Sequence, residues 1–226
     1  MPARASTWAL VPVKPLALAK TRLAGVLTGV ERQALASFML RHVLETVAES
    51  GVFDGLLVVS SDLAVLRIAA EFGAVTISDT RDAGTNAAVM QGIDLLADRP
   101  TNVLALHADL PEISREEVVK AAWILSGGQL LINPDRHDRG TNMLGVPASH
   151  PFNPQFGKES FARHLAAAGK LGIEPIVLRQ PGVSCDVDVP EDMNSPTISR
   201  FLLELRGRPS GRKRCSETEF MSTGQS

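Results

Sequence analysis

"WALVPVKPLALAKTRLAGVL", residues 8 to 27, runs from an apolar strand straight into a cationic loop. Residues 8–13 are apolar and β-prone. Lys14, Lys20 and Arg22 follow at once, with Pro12 and Pro15 on either side of the first lysine. Working outward, similar apolar runs recur at 56–60, 75–78, 103–107, 129–133, 143–147 and 175–178. Helical periodicity fills most of the gaps. Residues 31–49 place Leu35, Met39, Val43 and Val47 on one face, and Thr28 with Glu31 forms a capping box at the start. Residues 63–72, 87–97, 116–125 and 160–168 also read as helices. Ser114 with Glu117 offers a second capping box, and Gly169 ends the helix from 160. A last helix is expected from Pro190, at its first position, to Leu205. Strands alternating with helices predict an α/β fold: a mainly parallel sheet covered on both faces.

The chain has 226 residues, 44% of them apolar, which suits one domain with a sizeable core over residues 1–205. No apolar run approaches the roughly 20 residues of a membrane span, and the N-terminus lacks a signal-peptide core. A cytoplasmic protein is expected. Two cysteines are too few for a disulfide framework or a structural zinc site. A net charge of −2 gives no global pull toward nucleic acid or membrane, so anion binding must come from local clusters. Residues 206–226 lack apolar periodicity and read as a disordered basic tail, solvated rather than bound to nucleic acid.

Open α/β sheets bind ligands beyond the carboxyl ends of their strands. The loop after the first strand has neither a dinucleotide fingerprint nor a Walker lysine. Its three cations could receive phosphate, lysine as a point charge and arginine by paired hydrogen bonds; the competing reading is a solvated basic loop. After the third strand, Gly84, Thr85 and Asn86 precede a helix and suit an anion or a base carbonyl, or simply N-cap that helix. After the fourth, Asp109 is followed by Pro111 and could hold a hard cation such as Mg²⁺, or be a turn aspartate. In "GVSCDVDVPED", Asp186 and Asp188 are two apart, so in an extended segment both point the same way and repel unless a cation intervenes. Arg139–Asn142 and Phe156–Ser160 make two small polar turns able to hold a phosphorylated acid. His137 and His164 could serve as acid–base groups, but "RHL" inside a helix is more often packing. Cys185, beside Asp186, lacks the cationic neighbour of an activated thiolate.

Six stretches appear in order: "PVKPLALAKTRLA", "GTNAAVMQG", "ADLP", "DRGTNML", "FGKESFARH" and "DVDVPED". Together, over about residues 8 to 195, they resemble the 2-phospho-L-lactate guanylyltransferase family, also called CofC or FbiD, of coenzyme F-420 biosynthesis. The resemblance implies a Rossmann-like three-layer sandwich of the nucleotide-diphospho-sugar transferase (GT-A-like) type. It implies Mg²⁺-dependent transfer of GMP from GTP to the phosphate of 2-phospho-L-lactate, phosphoenolpyruvate or 3-phosphoglycerate, with release of pyrophosphate. By matching position, Lys14, Lys20 and Arg22 are the triphosphate-binding and catalytic cations, and Gly84, Thr85 and Asn86 belong to the guanosine pocket. Asp109, Asp186 and Asp188 are the metal ligands. Thr141, Gly157 and Ser160 are the acceptor site. Thr85 stands where a bulkier apolar residue is expected, and Cys185 where leucine is usual. The expected partners are GTP and a small phosphorylated three-carbon acid; a homodimer is compatible with this, and neither membrane nor nucleic acid is expected. The rival readings are a nucleotidyltransferase of the same fold acting on a sugar phosphate or molybdopterin, and a non-catalytic nucleotide-binding module.

Overall fold

A computed structural model of the chain describes residues 5–79, 84–98, 100–149 and 152–207. The elements follow one another as β1 (Ser6–Pro12), α1 (Gly29–Ser50), β2 (Gly55–Ser60), α2 (Leu63–Glu71), β3 (Val75–Ser78), α3 (Thr85–Leu95), β4 (Thr101–Leu106) and α4 (Arg115–Ser126). Then come β5 (Leu131–Pro134), β6 (Thr141–Val146), α5 (Ser160–Lys170), β7 (Ile176–Val177), α6 (Pro181–Ser184) and α7 (Pro196–Gly207). The expected tail lies, from residue 208 on, outside the described residues.

The seven strands form one sheet in the order β3-β2-β1-β4-β6-β5-β7. All neighbouring pairs are parallel except those of β6, which runs against both β4 and β5. Each expected strand is present, and the sheet is mainly parallel as predicted. Pleating sends alternate side chains to opposite faces. Ala9, Val11, Leu56, Val58, Leu104 and Leu106 face α1, α2 and α4. Leu10, Leu57, Val59, Val103 and Ala105 face α3 and α5. The result is a three-layer α/β/α sandwich. Gly92 lets α3 lie close against β1: a Cβ there would come within 2.6 Å of Leu10.

Local signals set the helix ends. Both capping boxes form, Thr28 with Glu31 and Ser114 with Glu117. Two expectations need correction. The helix read as 190–205 is a 3-10 turn, Pro190–Asn194, followed by α7. Pro196 has no N–H to continue a helix and forces Ser195 into an extended conformation (φ −63°, ψ 137°). The helix expected to end at Gly169 continues to Lys170. No helix among the described residues is long and apolar enough to cross a membrane.

The topology fixes where a ligand goes. From β1 the chain moves outward through β2 to β3, then returns to β4 on the other side of β1. The carboxyl ends of β1 and β4 therefore flank the switch point, where open α/β sheets leave a crevice.

Candidate active site

Beyond β1, the cationic loop is pinned at several points. Val13 N–H donates to Val59 C=O at 2.9 Å, and Leu16 N–H to Asp62 Oδ2 at 2.9 Å. Asp62 is also the N-cap of α2, its Oδ1 accepting from Ala64 N–H. One carboxylate thus ties the loop to a helix start. Two 3-10 turns follow, at Leu16–Leu18 and Thr21–Leu23. Between them Lys20 adopts a left-handed conformation (φ 53°), unfavourable by about 1–2 kcal/mol for a residue with a Cβ. Leu23, fully buried, anchors the loop against Leu35 and Met39 of α1, Ile198 and Leu202 of α7, and Val187.

This geometry aims Lys20 inward. Its ammonium donates to Asp109 Oδ2, beyond β4, and to Asp188 Oδ1 at 3.1 Å. The Lys20 side chain is only 8% exposed. Burial alone would lower its proton affinity, but the charges of Asp109 and Asp188 outweigh that and raise it. Burial alone would raise the Asp109 carboxyl; Lys20, with help from His107, holds it below the usual carboxylate range. Both ends of the pair are charged. Arg22, on the solvent side, lies 3.7 Å from Asp188.

The segment 186–188 lies between α6 and the 3-10 turn at Pro190–Asn194. Val187 is buried in the cluster with Leu23, and its two flanking aspartates are partly exposed. Asp188 N–H and Val189 N–H both donate to Asp192 Oδ2, at 2.7 and 2.9 Å. Arg136 donates to Asp186 C=O and pairs with Asp192 at 3.4 Å. Asn142 Nδ2, on β6, donates to Asp186 Oδ1 at 3.1 Å. Burial, then the nearby charge of Asp109, raises the Asp186 carboxyl above its ordinary range, and Asp188 adds to this.

Could these acids hold a divalent ion? Among the described residues no group of three or more acidic, histidine or cysteine side chains is already set to hold a metal. Yet Asp109 Oδ1 is buried with no hydrogen-bond partner. Asp186 feels two like charges. One ammonium stands against three carboxyl groups, and an all-oxygen donor set of this kind suits a hard cation. The donor types suit such an ion, and in this structure Lys20 lies between Asp109 and Asp188.

A second group of predicted residues meets nearby. Exposed Lys14 lines a shallow cleft with Pro12, Ser61, Asp79, Gly84 and Thr85. The N-cap of α3 is Gly84 (φ 87°), with no side-chain cap, so neither Thr85 nor Asn86 caps the helix. Asn86 instead turns to Phe156: Phe156 N–H donates to Oδ1 at 2.6 Å, and Nδ2 donates to Phe156 C=O at 3.1 Å.

The third group surrounds the start of α5. Gly157 (φ 113°) and Glu159 (φ 54°) shape the turn, which Ser160 N–H closes onto Gly157 C=O. Phe161 N–H donates to Arg139 C=O, joining it to the turn before β6. Asp135 holds that turn by accepting from the N–H groups of His137, Arg139 and Gly140. Thr141 and Ser160 are buried. Thr141 Oγ1 lies 2.9 Å from His164 Nδ1, while His164 Nε2 accepts from Gln155 N–H at 2.7 Å. Nε2 is an acceptor, so the proton sits on Nδ1 and the ring is neutral. Burial pushes the His164 pKa down to about 4. His164 is a packing residue, as the sequence suggested, and exposed His137 belongs to the turn.

The structure therefore gathers Lys20, Arg22, Asp109, Asp186 and Asp188 at one centre, puts Lys14, Gly84 and Thr85 in a separate small cleft, and sets Gly157 and Ser160 at the start of α5, with Thr141 of β6 bonded to His164 of that helix. Asn142 links the first group to the third. A separate cleft of about 490 Å³ lies elsewhere, along α5 by Phe152, Arg163 and Lys170. Sequence reasoning missed Asp62, Asp135, Arg136 and Asp192, and placed Asn142 only in the polar turn before β6; all five orient backbone or carboxylates. Asp192 had a local signal, since an acid just after Val189-Pro190 can accept from the preceding N–H groups.

The model of a family described as guanylyl transferase CofC like matches residues 7–198. The phosphoenolpyruvate guanylyltransferase of Conexibacter woesei is 34% identical over 205 residues, 89% of this chain and 91% of that protein. The 3-phospho-D-glycerate guanylyltransferase of Phenylobacterium zucineum is 34% identical over 199 residues, 86% of this chain and 87% of that protein. Among solved structures, a putative nucleotide-diphospho-sugar transferase from Desulfovibrio desulfuricans G20 superposes with a TM-score of 0.67 at 16% identity, covering 89% of this chain and 96% of that one. That likeness establishes the nucleotide-diphospho-sugar transferase type of fold.

Proposed function

The chain belongs to the CofC-like guanylyl transferase family, a family of nucleotidyltransferase enzymes, and from that premise we propose that it moves GMP from GTP onto the phosphate of a three-carbon phospho-acid. Phosphoenolpyruvate and 3-phosphoglycerate are the first candidate acceptors, by the names of the relatives; 2-phospho-L-lactate is the third. The product would serve coenzyme F-420 biosynthesis. The observation that carries the reading is the meeting of Lys20, Asp109 and Asp188 at the switch point between β1 and β4.

The reaction joins an oxygen of the acceptor phosphate to the α-phosphorus of GTP and breaks the bond from that phosphorus to the α–β bridging oxygen. Pyrophosphate leaves with the bonding electrons. The attacking oxygen is already anionic, so no general base is needed, and the obstacle is charge. Two unit charges 4 Å apart repel by about 4 kcal/mol at an effective dielectric of 20, and both substrates carry several. Lys14 and Arg22 are exposed cations at the mouth of the site and would receive the triphosphate. Lys20 donates to carboxylates in the unliganded chain, and the same ammonium would turn to the departing pyrophosphate. Asp109, Asp186 and Asp188 would hold Mg²⁺, which when bound supplies positive charge and a fixed point for phosphate oxygens. Thr141 Oγ1 accepts a hydrogen bond from His164 Nδ1–H, leaving its own hydroxyl hydrogen to donate toward the acceptor, beside Gly157 and Ser160. Positioning and electrostatics then lower the barrier.

The test is a product assay by mass spectrometry with GTP, Mg²⁺ and each acid in turn. An accepted acid appears as its guanosine diphosphate conjugate. Absence of a conjugate with all three acids sinks the acceptor assignment.

A further inference from the structure

The family resemblance puts Asn86 among the groups that contact guanosine, but its amide is already engaged. Oδ1 accepts from Phe156 N–H and Nδ2 donates to Phe156 C=O, a two-point grip on backbone 70 residues away. Such a grip imitates one rung of a sheet ladder and fixes both position and orientation. Phe156 is held on its other sides too. Its carbonyl also accepts from Arg163 Nη2 at 3.1 Å. Its ring is buried, tilted on His107 and edge-on to His164, with centroids 5.4 and 5.2 Å apart. Directly after it comes the turn through Gly157 and Glu159; glycine takes its positive φ freely, but the left-handed Glu159 persists only if the surroundings hold it.

We propose that Asn86 is a positioning residue: it locks the acceptor-side loop 156–160 to the first turn of the nucleotide-side helix α3, making the two substrate sites one rigid unit. The proposal rests on the functional reading above for what the two sides bind; the clamp itself rests on the two hydrogen bonds. Asn86 itself is exposed and packs in no core, so replacing it leaves the fold intact.

Hydrogen exchange of the unliganded protein reads the clamp without any reaction. In Asn86→Ala, exchange over residues 155–160 rises by about tenfold or more, as two hydrogen bonds are lost. In Asn86→Asp the rise is smaller at Phe156 N–H, since a carboxylate still accepts there but cannot donate to the carbonyl. Kinetics then divide the roles. For Asn86→Ala, KM for the phospho-acid rises by about tenfold, while KM for GTP stays within about twofold. Unchanged exchange in both variants overturns the clamp. A rise in KM for GTP alone overturns the positioning role and makes Asn86 a base reader. If the wild-type protein guanylylates none of the acids, the functional reading fails while the exchange result still decides the clamp.

Discussion

The ammonium of Lys20 lies 3.1 Å from a carboxylate oxygen of Asp188, a residue 168 positions later in the chain. On its other side it meets Asp109, so one cation is shared by acids from two separate crossovers. Lys20 reaches this place from a left-handed backbone, held by buried Leu23 on one side and the Asp62-anchored turn on the other. The lysine and a divalent ion would compete for the same oxygens, and the Lys20 prediction below turns on that competition.

Asp188→Asn should lower turnover by about a hundredfold or more, because it removes negative charge where a cation must be gripped. The fold should survive, since the backbone around residue 188 is tied down by Asp192 rather than by its own side chain. Steady-state rates beside a thermal melt check this. A near-normal rate removes Asp188 from the metal-binding role.

Lys20→Met should destabilise the unliganded protein by roughly 2 kcal/mol, somewhat under the cost of breaking a fully buried pair because Asp109 keeps partial solvent access. Added Mg²⁺ should then raise the melting temperature of the variant more than that of the wild type. Equal responses would mean that the lysine and the ion do not share a site.

Lys14→Ala should leave stability within about 0.5 kcal/mol of wild type, since the side chain is exposed. KM for GTP should rise and kcat fall together. An effect confined to the phospho-acid would contradict a triphosphate role.

Acid should weaken the fold through His164. Its folded pKa of about 4 lies below the ordinary value of 6.5, so the unfolded chain binds the proton first. Stability is undiminished above about pH 6.5 and falls as pH drops toward 4, by roughly 3 kcal/mol at most. Urea unfolding measured across that window should show a flatter slope for His164→Gln than for wild type. Equal slopes would place the acid sensitivity elsewhere.

What could be read from the sequence was what is local. The capping boxes at Thr28 and Ser114 are contained in four residues each, and both formed. The alternation of Asp186, Val187 and Asp188 needs only the period of an extended chain, and Val187 is indeed the buried member. Pro196 was also local, yet the apolar pattern running on to Leu205 hid the break it makes. The remaining features depend on distant partners. Asn86 turns away from its own helix because Phe156 offers both a donor and an acceptor, and no spacing within the sequence announces that. Asp62 caps the helix that follows it, but its second oxygen serves a loop 46 residues earlier. Lys20 read as a free phosphate ligand; only the folded chain shows the carboxylates that hold it.

The burial of Leu23 in one cluster with Val187 bears on synthesis as well as on the finished enzyme. A ribosome has made β1 through α5 before it reaches the segment that closes over the cationic loop. Until residue 188 emerges, the ammonium of Lys20 has Asp109 to pair with but not Asp188, so the cationic loop completes its anchoring only late in synthesis.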